Sequence, residues 1–226
     1  MNTNKKLIIF DIDGTLTDSL PIYHKIVIES LKLMGIKKVN TDFFNYKYHT
    51  DSYTLKVNYE TYFKKKYSKS LLYEFEEILL SELKRSPQIS EIKGAKHCID
   101  NLLNENYALA FATGSLLKPA KFKLQQCDIW FKENLIATSE ISFAREPFVL
   151  QAIQSAKEYF DVNEFEKIYS VGDGIWDLQT AQRLNLDFIG IGERNKEVLL
   201  KSGCTTYLDD LTELADLLID SNQTFH

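Results

Sequence analysis

A short apolar strand that ends in two acidic residues constrains this sequence most. Residues Leu7–Phe10 form a continuous apolar run, which is typical of a strand buried on both faces. Asp11 and Asp13 follow directly, and Gly14 and Thr15 then break the strand into a loop. Because clustered carboxylates repel one another and resist desolvation, this arrangement opposes stability. A divalent cation or chemistry on a phosphate would justify it.

The second half of the sequence alternates between strand and helix patterns. After the first strand, further strands are predicted at 108–112, 135–137, 168–171 and 188–191, and helices at 95–104, 120–125, 148–159, 178–184, 195–202 and 211–219. This alternation predicts an α/β fold with a doubly wound, mostly parallel, Rossmann-like core sheet. Reactive groups in such sheets gather beyond the carboxyl ends of the strands.

A long helical insertion separates the first strand from the rest of the predicted sheet. Residues from about 20 to 86 show helical periodicity without a strand pattern, and Pro87 and Gly94 mark the return to alternation. We therefore expect two domains: an α/β core made of residues 1–19 and 89–226, and an all-helical cap domain made of residues 20–88.

Composition narrows the classes of function. The chain has 226 residues, of which 44% are hydrophobic, so a proper core is expected. A net charge of -5 argues against a nucleic-acid-binding surface, and no apolar run is long enough for a membrane span. The first residues lack the pattern of a signal peptide, and three lone cysteines show no metal-ligand spacing. A cytoplasmic protein with no nucleic-acid or membrane partner is expected.

Four segments that carry reactive side chains are predicted to meet at one edge of the sheet. Each lies at the end of a strand or at the start of a helix. They are Asp11 and Asp13; Thr113, Gly114 and Ser115; Arg145; and Asp173 with Asp177.

This set of motifs resembles the haloacid dehalogenase superfamily, in particular its phosphatase branch with a helical cap inserted after the first strand, as in phosphoglycolate phosphatase-like proteins. The resemblance covers nearly the whole chain, and the order and separation of the four motifs fit. It implies that Asp11 is the nucleophile of an aspartyl-phosphate intermediate and that Asp13 is the general acid and then the general base. It also implies a Mg²⁺ ion held by the carboxylates of Asp11 and Asp173 and the backbone carbonyl of Asp13.

The remaining motif residues receive supporting roles from the same resemblance. Thr113, Gly114 and Ser115 would bind phosphoryl oxygens, and Arg145 would balance the charge of the nucleophile, at a position where the family more often has lysine. Asp177 would be a second acid of the metal site or would orient Arg145 or a metal-bound water. Simpler interpretations are a helix cap for Thr113, a surface charge for Arg145 and a helix-dipole acid for Asp177.

The predicted cap offers one indication about the substrate. The segment from Tyr48 to Asp51 is similar to a turn between the first two cap helices in one group of these phosphatases, which has glycine where this chain has Tyr48. Tyr48 and His49 would then contact the organic part of the substrate. The alternative is that Thr50 and Asp51 only cap the second helix.

The leading hypothesis is a Mg²⁺-dependent phosphatase that hydrolyses a small organic phosphomonoester, as a monomer or homodimer. Asp13 favours this branch, since the dehalogenases of the superfamily lack an acid two residues after the nucleophile. A phosphomutase of the β-phosphoglucomutase type is the main alternative. A signalling module phosphorylated on aspartate and a non-catalytic phosphate-binding protein are the others.

Overall fold

A six-stranded parallel sheet organises the protein. The computed structural model describes residues 5–105 and 107–223. Within these ranges the strands are β1 (Leu7–Phe10), β2 (Ala108–Ala112), β3 (Ile136–Ala137), β4 (Ile168–Gly172), β5 (Asp187–Ile191) and β6 (Thr206–Leu208). All neighbouring strands pair in parallel, in the order β3-β2-β1-β4-β5-β6. This is the doubly wound Rossmann order, and it confirms the predicted fold class.

Nine α-helices surround the sheet or lie between β1 and β2 in the described part of the chain. They are α1 (Leu20–Leu33), α2 (Asp51–Phe63), α3 (Lys69–Arg85), α4 (Ala95–Asn104), α5 (Leu117–Gln126), α6 (Arg145–Phe160), α7 (Ile175–Leu184), α8 (Lys196–Lys201) and α9 (Leu214–Gln223). None of the helices described is both long and apolar enough to cross a membrane.

The first strand is buried on both faces because alternate side chains enter two different cores. Ile8 and Phe10 pack in one apolar cluster with residues of α4, α5 and α9. Leu7 and Ile9 pack in a second cluster, on the other face, with residues of α6. All four side chains are at most 2% exposed, as the apolar run predicted.

Helices α1 to α3 have an apolar cluster of their own. It includes Tyr23 and Leu31 of α1, Leu55 of α2 and Phe75 of α3, and Leu116 of the β2–α5 loop also joins it. All strands of the described chain lie outside residues 20–88. The division of the chain into two domains at these bounds stays a prediction.

The register of the strands positions the candidate site. Phe10 of β1 pairs with Phe111 of β2 and with Val171 of β4. The residues that follow these three positions therefore leave the sheet at the same edge. The chain runs outward from β1 to β3 and returns on the other side of β1 at β4, so this edge is also the point where the strand order reverses.

The structure differs from the predicted elements mainly at their ends. β6 was missed because it is a three-residue edge strand whose side chains are only half-buried, which leaves no apolar run to detect. Helix α5 begins at Leu117 rather than at 120, since Pro119 is tolerated in the first turn of a helix. The last helix was predicted at 211–219 and begins three residues later.

Replacing Phe148 by alanine tests the packing of α6 on the sheet. Phe148 is fully buried in the cluster of Leu7 and Ile9. Its truncation leaves a cavity and should lower the free energy of unfolding by about 3–5 kcal/mol, measured by urea denaturation. Leu150 of the same helix is 51% exposed, so Leu150→Ala should change it by about 0.5 kcal/mol or less. Equal losses in the two variants would contradict this packing.

Candidate active site

Three buried carboxylates meet at the carboxyl edge of the sheet. Asp11 directly follows β1, Asp173 directly follows β4, and Asp177 lies in the first turn of α7. Each is at most 5% exposed. One carboxylate oxygen from each lies within 4.8 Å of the others, an arrangement of ligand atoms that could hold a metal ion.

The close approach of Asp177 to β4 depends on a glycine. A Cβ atom at Gly172 would lie 2.6 Å from the Asp177 Cγ atom, so a larger residue would displace this carboxylate. Asp177 Oδ2 also accepts a hydrogen bond from the Gly174 amide at 3.0 Å. These contacts fix Asp177 against the end of β4.

Burial makes the charges of this cluster costly. Burial, followed by the charge of Asp177, raises the pKa of Asp173 to about 7, although Arg145 opposes the shift. Burial also raises the pKa of Asp11 well above its ordinary value. Asp173 Oδ1 has no hydrogen-bond partner among the residues that the structure describes. A buried, unpaired carboxylate oxygen among other acids fits a divalent cation, because a cation would offset both the desolvation and the repulsion.

Arg145 supplies the positive charge nearest to the nucleophile candidate. It is the first residue of α6 and is 9% exposed. Its NH1 group donates to Asp11 Oδ1 at 3.2 Å and to Asp177 Oδ1 in a shorter contact. Burial disfavours the charged guanidinium, but the charges of Asp177 and Asp11 nevertheless raise the pKa of Arg145. The guanidinium thus joins two of the three acids.

The side chain of Asp13 lies outside the three-acid cluster found in the described residues. Both of its oxygens accept from Lys123 Nζ at 2.6 Å, Oδ2 also accepts from Ser115 at 2.8 Å, and Oδ1 accepts from Ser19. Burial alone would raise the pKa of Asp13, but the charge and hydrogen bonds of Lys123 lower it. The ionised carboxylate is therefore the favoured form in this arrangement.

The segment from Thr113 to Ser115 forms a tight loop at the end of β2. The Ser115 amide donates to Thr113 Oγ1 at 3.1 Å. A Cβ atom at Gly114 would lie 2.5 Å from the His49 carbonyl oxygen, so only glycine fits here. The Gly114 carbonyl in turn accepts from the Asp51 amide at 2.9 Å. This loop is therefore in direct contact with the start of α2.

A cavity of about 140 Å³ lies between these residues and the helices α1 and α2. Apolar and aromatic side chains form much of its wall, including Leu20, Val27 and Tyr46. The predicted site residues that line it are Asp11, Asp13, His49, Thr113, Gly114, Ser115, Arg145 and Asp173.

Tyr48 and Asp177 do not line this cavity. Tyr48 lines a neighbouring cleft of about 370 Å³, and Asp177 forms an ion pair with Arg145. His49 and Trp176 line both spaces, and their rings stack with centroids 4.2 Å apart. Burial and the charge of Arg145 lower the pKa of His49.

The alternative that residues 50 and 51 only cap helix α2 agrees with the structure for Thr50 but not for Asp51. Thr50 is the N-cap of α2, and its hydroxyl accepts from the Tyr53 amide at 3.4 Å. The Asp51 carboxylate instead accepts from the Tyr23 hydroxyl at 2.5 Å and from the Leu116 amide at 3.1 Å. Burial raises the pKa of Asp51 to about 6. Asp51 thus joins α1 and α2 to the β2–α5 loop.

Sequence reasoning missed Lys123, whose side chain is fully buried beside Asp13. A signal existed in the spacing of α5. Leu116, Ala120, Lys123 and Cys127 recur at intervals of four, three and four, which places a lysine on the apolar stripe of the helix. Trp176 was also missed, since nothing in its local sequence separates it from a packing residue.

Comparison with known protein families identifies one match for this chain. A family model described as haloacid dehalogenase-like hydrolase matches residues 8–191. No curated protein matches the chain in sequence.

Many solved structures share the fold. A hydrolase from Pseudomonas syringae is 20% identical, with a TM-score of 0.64 over 96% of this chain and 99% of that one. CbbY from Rhodobacter sphaeroides, solved in complex with phosphate, is 16% identical, with a TM-score of 0.69 over 92% and 95%. A Bacteroides vulgatus protein provisionally assigned as a β-phosphoglucomutase is 16% identical, with a TM-score of 0.70 over 98% and 91%. At these identities the likeness establishes the fold alone.

Asp173→Asn tests the repulsion within the acid cluster. The pKa of Asp173 is about 7 in the folded chain and 3.8 ordinarily, so the folded state binds the proton more tightly. The wild type therefore loses more stability than the neutral variant does as pH rises from about 4 to about 7. In chelator at about pH 8, the variant should melt higher than the wild type, by about 2–4 °C for each kcal/mol of relieved repulsion. Near pH 4 the gap should close.

The matched control for this measurement is Asp18→Asn, because Asp18 is exposed. This variant should follow the wild type at both pH values. A melting temperature of Asp173→Asn that stays at or below that of the wild type at about pH 8 would contradict the account.

Proposed function

Because the chain belongs to the haloacid dehalogenase-like hydrolase family, we propose that it is a Mg²⁺-dependent phosphatase of a small organic phosphomonoester. The observation that carries this proposal is that Asp11, Arg145 and Asp173 line the same small cavity. A carboxylate nucleophile can approach an anionic phosphate only where positive charge offsets the repulsion between them. Arg145 supplies part of that charge, and the unpaired carboxylate oxygen of Asp173 offers a ligand for a cation that supplies the rest.

In the first step that we propose, Asp11 attacks the phosphorus atom and the bond to the ester oxygen breaks. This produces an aspartyl-phosphate on Asp11, while Asp13 donates a proton to the departing alkoxide. The guanidinium of Arg145 lies 3.2 Å from Asp11 Oδ1 and orients the attacking carboxylate. Thr113, Gly114 and Ser115 line the cavity, where they would bind the phosphoryl oxygens.

In the second step, water releases inorganic phosphate and restores Asp11. Asp13 removes a proton from the attacking water, and the bond between the Asp11 carboxylate and phosphorus breaks. The ionised form that Lys123 favours at Asp13 suits this base role. The first step needs a protonated Asp13, which the negative charge of a bound phosphate would promote.

The Mg²⁺ ion would be held by the carboxylates of Asp11 and Asp173 and by the backbone carbonyl of Asp13. When bound, it would neutralise negative charge on the nucleophile and the phosphoryl group. Asp177 completes the acid cluster and bonds to Arg145, so it would position that side chain. The chemistry of the donor set supports magnesium, since all of these donors are oxygen atoms.

The cavity supports a small substrate. A space of about 140 Å³ is comparable with engineered cavities that hold a single benzene ring. We propose that residues 20–88 form a cap domain that closes this space over the core made of residues 1–19 and 89–226. His49 of the proposed cap lines the cavity and would contact the organic part of the substrate, and Tyr48 would do so only where a ligand extends into the neighbouring cleft.

A phosphomutase of the β-phosphoglucomutase type is the second candidate, and the likeness to the Bacteroides vulgatus structure favours it. A mutase keeps water from the phosphorylated aspartate and returns the phosphoryl group to the substrate. Phosphorus NMR of a hexose phosphate incubated with the protein separates the two, because a mutase yields an isomeric ester and a phosphatase yields inorganic phosphate.

A panel of phosphomonoesters tests the proposed activity directly. Purified protein with Mg²⁺ should release inorganic phosphate from one or more small esters, and EDTA should abolish the release because Arg145 alone cannot balance three acids and a phosphate. Excess Mg²⁺ should then restore it. Phosphate release that continues undiminished in EDTA would rule out the metal requirement.

Asp11→Asn tests the nucleophile. The amide cannot form the aspartyl-phosphate, so kcat on the best ester should fall on the order of 10³-fold or more. The circular dichroism spectrum should match that of the wild type, because asparagine has nearly the same shape. Asp18→Asn, seven residues further along the chain, should keep full activity. Wild-type turnover by Asp11→Asn would refute this assignment.

A further inference from the structure

Lys123 carries a charge in a fully buried position, where a charge is costly. Its side chain is 0% exposed and lies on the stripe of α5 that packs inward. An aliphatic residue would satisfy that stripe, and replacing buried ion pairs with apolar side chains is often neutral or stabilising. The contacts of the ammonium group indicate what the charge does.

The Lys123 ammonium donates its hydrogen bonds to Asp13 and to Ser115, which itself bonds to Asp13. An ammonium has three donors. Two reach Asp13 Oδ1 and Oδ2, both at 2.6 Å, and one reaches Ser115 Oγ at 2.7 Å. That same Ser115 hydroxyl donates to Asp13 Oδ2. The ring of Tyr23, on α1, covers the ammonium with its centroid 3.8 Å away.

The acceptor sites of Asp13 are also fully used. A carboxylate has about four lone-pair sites. Lys123 occupies one on each oxygen, Ser115 occupies a second on Oδ2, and Ser19 occupies a second on Oδ1. To reach a substrate oxygen, Asp13 must release one of these donors. The neutral serine hydroxyls hold it less strongly than the charged ammonium does.

We infer that Lys123 is a positioning residue for the proposed phosphatase reaction: it anchors the Asp13 carboxylate while a serine hydroxyl gives way to the substrate. This inference rests on the function proposed above. The anchor fixes the plane of the carboxylate, because both oxygens bond to one ammonium. Tyr23 couples the anchor to the helical segment, since its hydroxyl bonds to Asp51 at the start of α2.

The test compares Lys123→Met with Lys121→Met, a matched control. Lys121 lies on the same helix and pairs with the exposed Glu133. With an alkyl phosphate, Lys123→Met should lower kcat by about 10- to 100-fold and leave KM within about threefold, because misplaced catalytic groups affect turnover more than binding. With p-nitrophenyl phosphate the fall should be clearly smaller, since its leaving group needs no proton. Lys121→Met should match the wild type on both esters.

A double-mutant cycle separates positioning from packing. Lys123→Met should cause no further loss when added to Asp13→Asn, because the group that it positions is already gone. Equal losses on the two esters, or a full additional loss in the double variant, would overturn the inference and leave Lys123 with a structural role.

NMR of the wild type tests the inference without an activity assay, even if Lys123→Met does not fold. In the wild type labelled with ¹⁵N-lysine, the buried Lys123 ammonium should give a slowly exchanging NMR signal, and Asp13→Asn should shift or abolish it. The absence of such a signal from the wild type would overturn the inference. A wild type with no phosphatase activity but with this signal would instead overturn the proposed function.

Discussion

The repulsion among buried carboxylates is the constraint on which the rest of the site depends. Asp11, Asp173 and Asp177 lie within reach of one ion at the end of the sheet, where water is largely excluded. The protein offsets this charge in part with Arg145, which bonds to two of the three acids. Asp173, which carries an oxygen with no hydrogen-bond partner among the described residues, is one of the residues that line the cavity. This cluster of repelling, buried carboxylates opposes the stability of the fold, and it is also the place where a cation and a phosphate would be bound.

Differences in neighbouring charges separate the roles of Asp11 and Asp13, the two aspartates that follow β1. Asp11 is held in the acid cluster, where burial raises its pKa. Asp13, two residues on, is held by Lys123, which lowers its pKa. Two identical side chains therefore have different protonation behaviour because their neighbours differ. Environments that push the pKa values of neighbouring acids apart are the usual means of assigning different chemical roles to them.

Contacts between the helical segment and the sheet edge link the cavity to the chemistry. Asp51 bonds to Tyr23 and to the β2–α5 loop, and Gly114 lies against the backbone at His49. Movement of these helices would therefore change the wall of the cavity and the cover over Lys123 together. Closure of a site in this way excludes water and completes the set of interacting groups.

The sequence by itself determined the α/β class, five of the six strands of the described chain and the edge at which the acids would gather. It could do so because the alternation of strand and helix patterns is a local property, and this alternation implies parallel pairing. It did not reveal β6, which is short and half-buried, or the place of Tyr48 outside the main cavity. Only the tertiary structure decided which charge balances which acid: Arg145 joins Asp11 to Asp177, whereas Lys123 holds Asp13. These pairs join residues 32 to 134 positions apart, so they depend on how α5 and α6 pack against the sheet, and local pattern does not encode that packing.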